Sequence, residues 1–197
     1  MPRKVDHDER RRHIVEALLH IAGTDGLDAV SLREVAQQAG VSMGAVQHYF
    51  ATKEEMLAYA LRHWLSLSVH ARFSGRVRVR LGAETKPEAV LRALAAEYLP
   101  HDEASRFDAR VAAAFLSRAA VDPALAQTLV PAIGGFVGTL KALLDSTGTR
   151  LDTATEARRL AALLDGLRTP VLLGALPHDQ AMAVVEQHLR DILARDR

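Results

Sequence analysis

The chain has 197 residues, of which 49% are apolar and 25% charged, with a formal net charge of +1. This is the composition of a folded globular protein, and it excludes disordered, collagen-like and disulfide-stapled classes. Cysteine is absent, which removes disulfides, thiolate metal sites, iron-sulfur clusters and cysteine nucleophiles together. Bulk charge selects no partner, because residues 1–63 carry 8 basic and 9 acidic side chains and the remainder carries 17 and 15.

The opening MPRKVDHDE lacks the apolar run of a secretory signal, so a cytoplasmic location is expected. Helical periodicity dominates from there on, which predicts an all-α fold of about nine helices. Ile14, Ala17, Leu18, Ile21 and Ala22 form one apolar stripe over 8–22, and Gly23 and Gly26 end that helix. Ser31 with Glu34 is a capping box opening a two-turn helix that stops at Gly40. Ser42 caps a third short helix reaching Tyr49, and Thr52 with Glu55 opens a long fourth one over 53–71 that connects two domains. Residues 73–85, with Gly75, Gly82 and alternating arginine and valine, read as a solvated loop. Further helices are predicted over 87–98, 102–120, 123–145, 152–173 and 177–194. The uncharged run 123–140 has the length of a membrane span, but Gln127, Thr128, Pro131 and three glycines favour a buried helix, so no membrane partner is expected.

Two short helices joined at Ala39-Gly40-Val41, after a longer amphipathic one, match a helix-turn-helix. Leu32, Val35, Ala36, Ala39, Val41, Val46 and Phe50 have the spacing to bury against Ile14, Leu18 and Ile21. Met43, Gly44, Ala45, Gln47, His48 and Tyr49 are left mostly outside that core, and the small Gly44 and Ala45 permit close approach to bases or backbone. Arg3, Lys4 and Arg10 to Arg12 offer a basic arm.

Residues 31–61, SLREVAQQAGVSMGAVQHYFATKEEMLAYAL, closely resemble the DNA-binding domain of TetR-family transcriptional repressors. The resemblance runs from Arg11 to Leu65 and rests on Arg33, Ala36, Gly40-Val41-Ser42, Gly44, Phe50 and Lys53 followed by two acids. It departs at Gln47, where the family usually has an aromatic residue, and at Tyr49, where histidine often stands. The resemblance implies that Met43, Ala45, Gln47 and His48 meet bases, that Arg33 meets a base or a phosphate, and that Ser31, Ser42, Tyr49 and Lys53 meet phosphates. Hydroxyls and free amides at helix starts are suited to anions, and affinity built on such local placement falls steeply with salt.

The resemblance also implies a division into an N-terminal arm and helix-turn-helix domain, residues 1–52, and a larger helical effector-binding and dimerisation domain, residues 53–197. A small-molecule effector of unknown identity and a homodimer on a palindromic operator follow as partners. Wide apolar faces on the last two helices point independently to pairing with their copies across a two-fold axis. Gly134, Gly135 and Gly138 remove side-chain volume from a helix, which calls for either a ligand beside Phe136 or close helix packing. Trp64, Phe107, Val111, Phe115 and Phe136 are candidates to line a cavity, with Arg110, Arg118 or Arg168 as a charged anchor. Pro170 should kink its helix. His13 and His20, like His63 and His70, stand seven apart rather than at metal-binding spacing, and no nucleophile elbow or phosphate loop occurs. No enzyme activity, metal or cofactor is expected. An all-helical protein-interaction module and a ligand-independent regulator remain the competing readings.

Overall fold

The structure is a computed structural model that describes residues 2–194, except for the side chains of residues 2–6, 68–70 and 194. No strand occurs among the described residues. The helices are α1 (Pro2–Thr24), α2 (Leu32–Ala39), α3 (Met43–Tyr49), α4 (Lys53–Trp64), α5 (Ser74–Leu81), α6 (Pro87–Tyr98), α7 (Glu103–Ala119), α8 (Pro123–Ser146), α9 (Thr153–Leu172) and α10 (His178–Ala194). A 3-10 turn occupies Leu27–Ala29, and a π-helical segment, Leu65–Phe73, follows α4 and runs directly into α5. Counting α4, that segment and α5 as one unbroken run gives nine helical rods among the described residues.

The chain divides into two compact units, Met1–His70 with Arg110–Val130 and Ala71–Ala109 with Pro131–Arg197. In the first, α1 packs on α2 and α4, and α2 packs on α3. Ile14, Leu18, Val35, Val46, Phe50, Met56 and Leu57 are essentially sealed from solvent. These are the positions that helical spacing assigns to one small core, although Leu32 and Val41 are only half-buried. In the second unit α5 packs on α6, and α10 packs on α9 and α6, around Leu91, Leu99, Leu140, Leu144, Leu160, Leu164, Val185 and Leu189. α9 runs through Pro170 and ends two residues later, so the proline falls in the last turn.

Two expectations are corrected. The solvated loop at 73–85 is helical as far as Leu81, and only a short break around Gly82, at φ 56°, remains. The alternating sequence also fits the helical period: Arg72, Arg76 and Arg80 lie one turn apart on one face, where they meet acids, while Val77 is buried. The second correction concerns α8, expected to be buried. It is long and apolar enough to cross a membrane, yet only 17% of its most apolar window is buried. Leu125, Leu129, Leu140 and Leu144 are buried, but Val130 is 64% and Ile133 49% exposed, so large apolar side chains as well as the glycines face outward.

Candidate nucleic-acid interface

The helix starts of the first unit are set by short side chains. The Ser31 hydroxyl accepts the Glu34 amide at 3.1 Å, that of Ser42 the Ala45 amide at 3.1 Å, and that of Thr52 the Glu55 amide at 3.1 Å. The Glu55 carboxylate in turn accepts the Ala51 amide at 3.0 Å. α2 is closed by Gly40 in the left-handed region, φ 65°, and the Val41 amide reaches back to the Ala36 carbonyl at 3.0 Å. A residue with a Cβ would be strained at that φ, so glycine is what permits the sharp passage from α2 to α3. His13 on α1 donates a ring N–H to the Ala39 carbonyl at 2.8 Å, which fastens the end of α2 to α1.

α3 therefore buries Val46 and turns its other side outward. Gly44, Gln47 and His48 are exposed, Met43 is 43% exposed, and Ala45 and Tyr49 are half-buried. A Cβ on Gly44 would find its nearest neighbour, the Ser42 hydroxyl, only at 4.0 Å, so nothing inside the protein requires glycine there. Arg33 is exposed and forms no ion pair among the described residues. Lys53 is half-buried, and its ammonium donates to the Leu27 carbonyl at 3.4 Å. Ser31 and Ser42 use their oxygens as amide acceptors and keep their hydroxyl protons for an outside acceptor.

The basic arm needs correction. Arg11 lies 4.3 Å above the Tyr59 ring and 4.9 Å above that of Phe50, and 3.6 Å from the Glu55 carboxylate. Stacking and ion pairing thus hold it against α4 as a structural group. Arg10 and Arg12 are exposed, while the side chains of Arg3 and Lys4 lie outside the described residues. His7, not among the expected contact residues, packs edge-on against His48 and Tyr49 of α3, with ring centroids 5.9 and 4.6 Å away. An isolated histidine in a charged opening segment carries no periodic signal that would mark such a contact.

The residues expected around an effector fall into two groups. In the first unit Val111 and Phe115 are fully buried, Phe115 stacks on Trp64 with centroids 6.3 Å apart, and Arg110 donates to the Gly23 carbonyl at 2.7 Å. The Trp64 indole N–H is buried with no acceptor. In the second unit Phe136 stacks on Tyr98 at 4.9 Å, the Arg168 guanidinium stands 5.0 Å over the Tyr98 ring, and Phe107 is half-buried. The Tyr98 hydroxyl donates to Asp165, and burial pushes its pKa well above the usual phenol value. In the sequence alone Tyr98, a single tyrosine ending an alanine-rich helix, resembles ordinary core. Arg118, the remaining proposed anchor, is paired with Asp122 at 3.6 Å.

The same unit carries a polar network. Buried Glu97 takes Arg76 at 3.1 Å and Arg80 at 2.6 Å, and Asp108 receives Arg72 at 3.4 Å and Arg76 at 3.5 Å. His101 lies 3.7 Å from Glu97 and its ring is 5.4 Å from that of His178. Burial first, then His101 and Arg80, hold the His178 pKa below the ordinary histidine value. The Ser105 hydroxyl and amide hold Asp102 below the ordinary carboxylate value. Among the described residues no group of three or more histidines and acids is placed to hold a metal ion.

This geometry accords with what the chain is similar to. Residues 14–60 match the model of bacterial regulatory proteins of the tetR family, and residues 87–194 match the C-terminal region of BetI-type transcriptional repressors. An HTH-type transcriptional regulator PksA of Bacillus subtilis is 29% identical over the whole chain and 96% of its own length. A crystallised transcriptional regulator from Rhodococcus sp. Rha1 superposes with a TM-score of 0.82 at 34% identity, over 94% of this chain and 96% of that one. A putative transcriptional regulator from Saccharomonospora viridis, solved in complex with choline, gives 0.79 at 23% identity over 96% and 97% of the two chains. The chain belongs to the TetR family of bacterial DNA-binding transcriptional regulators, with a C-terminal region of BetI type.

Proposed function

We propose that this protein is a cytoplasmic repressor that sits as a homodimer on a palindromic operator and leaves it when a small molecule binds. Residues 1–52 supply the DNA-reading domain and residues 53–197 the effector and dimer domain. The observation that carries the DNA part is the outward face of α3, where Met43, Gly44, Gln47 and His48 are exposed beside the capped starts of α2, α3 and α4. Met43, Ala45, Gln47 and His48 read bases. Arg33 takes a base or a phosphate, and Ser31, Ser42, Tyr49 and Lys53 take phosphates.

Dimerisation through α9 and α10 is supported by the apolar surface one chain leaves uncovered. Leu160, Leu164, Val171, Ala181, Val185, Leu189 and Ile192 enter the chain's own core, whereas Val184 is 45% and Leu173 76% exposed. A Cβ on Gly166 would meet nothing within 4 Å, which leaves α9 open to close approach by a partner helix. A two-fold dimer presents two α3 helices to half-sites about 34 to 36 Å apart, or a multiple of that.

Effector release is supported by Trp64. A buried indole N–H without an acceptor costs about 1–3 kcal/mol, and an acceptor oxygen on a ligand removes that cost. An effector engaging the Trp64 end of α4 displaces it and changes the separation of the two reading helices, provided it binds the released state more tightly. Trp64 is also the chain's one tryptophan. Its fluorescence, titrated with candidate compounds while operator binding is followed in parallel, tests the reading: a compound that shifts emission should also lower operator affinity. Emission changes with no effect on operator binding would refute effector release.

A further inference from the structure

We infer that His7, seven residues before the segment that matches the family's DNA-binding domain, is a positioning residue for DNA reading and holds His48 and Tyr49 in their DNA-facing arrangement. The inference rests on the reading of α3 as the DNA-contacting helix. Consecutive residues on a helix point about 100° apart, so the rings of His48 and Tyr49 have no intrinsic tendency to meet. Here they lie edge to face, with centroids 5.1 Å apart and planes at 82°. The His7 ring contacts both, with its plane at 64° to each, and closes a three-ring cluster. Edge-to-face packing of this kind is attractive and directional, so each ring restricts the rotamers of the other two.

The consequence for binding lies in conformational freedom. His48 and His7 are exposed and Tyr49 is half-buried, so without the cluster the two α3 side chains sample several rotamers and must be ordered when DNA arrives. His7 orders them beforehand, from a different helix. Its role is exerted through ring packing, so an aromatic ring of similar size at position 7 serves as well as imidazole.

The test uses the full-length protein, a duplex fragment recovered by selection from its own genome, and a scrambled duplex of equal length. His7→Ala is expected to weaken binding to the selected duplex about tenfold, the cost of ordering two side chains, to weaken the scrambled duplex by less, because only the phosphate contact of Tyr49 acts there, and to leave the salt dependence unchanged. His7→Phe is expected to return affinity to about the wild-type value. Because residue 7 is exposed and only ring contacts are lost, the thermal midpoint of His7→Ala should fall by no more than about 2–4 °C, and that of His7→Phe should match the wild type. Unchanged affinity in His7→Ala overturns the inference, and so does a His7→Phe variant as weak as His7→Ala. A salt slope reduced by about one overturns it too, because His7 would then itself contact a phosphate. A wild-type protein that does not distinguish the two duplexes refutes the DNA reading of α3 and this inference with it.

Discussion

In the first unit Ser31, Ser42 and Thr52 each act on an amide three residues away. In the second, Arg76 and Arg80 reach Glu97 across 21 and 17 positions, and Arg92 reaches Glu186 across 94 at 3.1 Å. The helix starts of the first region are fixed by local chemistry that forms whenever those helices form. These pairs of the second, by contrast, exist only in the assembled fold. A part that reads DNA benefits from the first kind of rigidity, and the ligand response proposed for the second would benefit from contacts that can be rearranged.

Removing the packing on which the local caps depend should have the largest effect. Phe50 is fully buried at the end of α3, and Phe50→Ala should cost about 3–5 kcal/mol and abolish DNA binding. Calorimetry and operator titration measure both effects, and a mild loss would mean that the caps alone hold α3 in place. The second unit's counterpart is Glu97→Ala, which leaves Arg80 without its acid and Arg76 with Asp108 alone. The loss should be about 2 kcal/mol, below the usual value for a buried pair because the arginine side chains are 24% and 43% exposed. It should appear as a lower urea midpoint.

A smaller effect sharpens the contrast. Ser42→Ala removes one cap and should cost about 1 kcal/mol in stability, and, if the hydroxyl meets a phosphate as proposed, weaken operator binding further. Chemical denaturation and DNA titration on the same sample separate the two losses. The smallest effect is that of pH. Since the folded protein holds His178 below its ordinary value of 6.5, the unfolded chain takes up that proton first. Stability should therefore decline as pH falls below about 6.5 and level off once the folded-state value is passed. His178→Asn should flatten that part of the profile, measured as the urea midpoint against pH.

The same difference in range decided what could be read from the sequence. The starts of α2, α3 and α4 and the inward positions at Ile14, Leu18, Val35, Val46 and Phe50 follow from capping residues and a 3.6-residue period, both visible within a short window, whereas α1, expected over 8–22, begins at Pro2 and runs to Thr24. The exposed positions on α3 were visible in the same way. The helix α5 was not legible, because valine and arginine alternate there and only Glu97 and Asp108, far along the chain, reveal which period applies. Arg11 looked like a free basic arm until Phe50, Tyr59 and Glu55 were brought around it. The ring contacts of His7 and the Tyr98 cluster are likewise products of tertiary placement.

The most direct test of the central claim is selection of genomic fragments by the purified full-length protein, followed by titration of the best fragment over a range of salt. The account predicts retention of a palindromic sequence in preference to bulk DNA, steep weakening with salt, and loss of the preference in Gln47→Ala, whose side chain reaches outward from α3. Equal retention of all fragments, or a Gln47→Ala protein with unaltered preference, would contradict it.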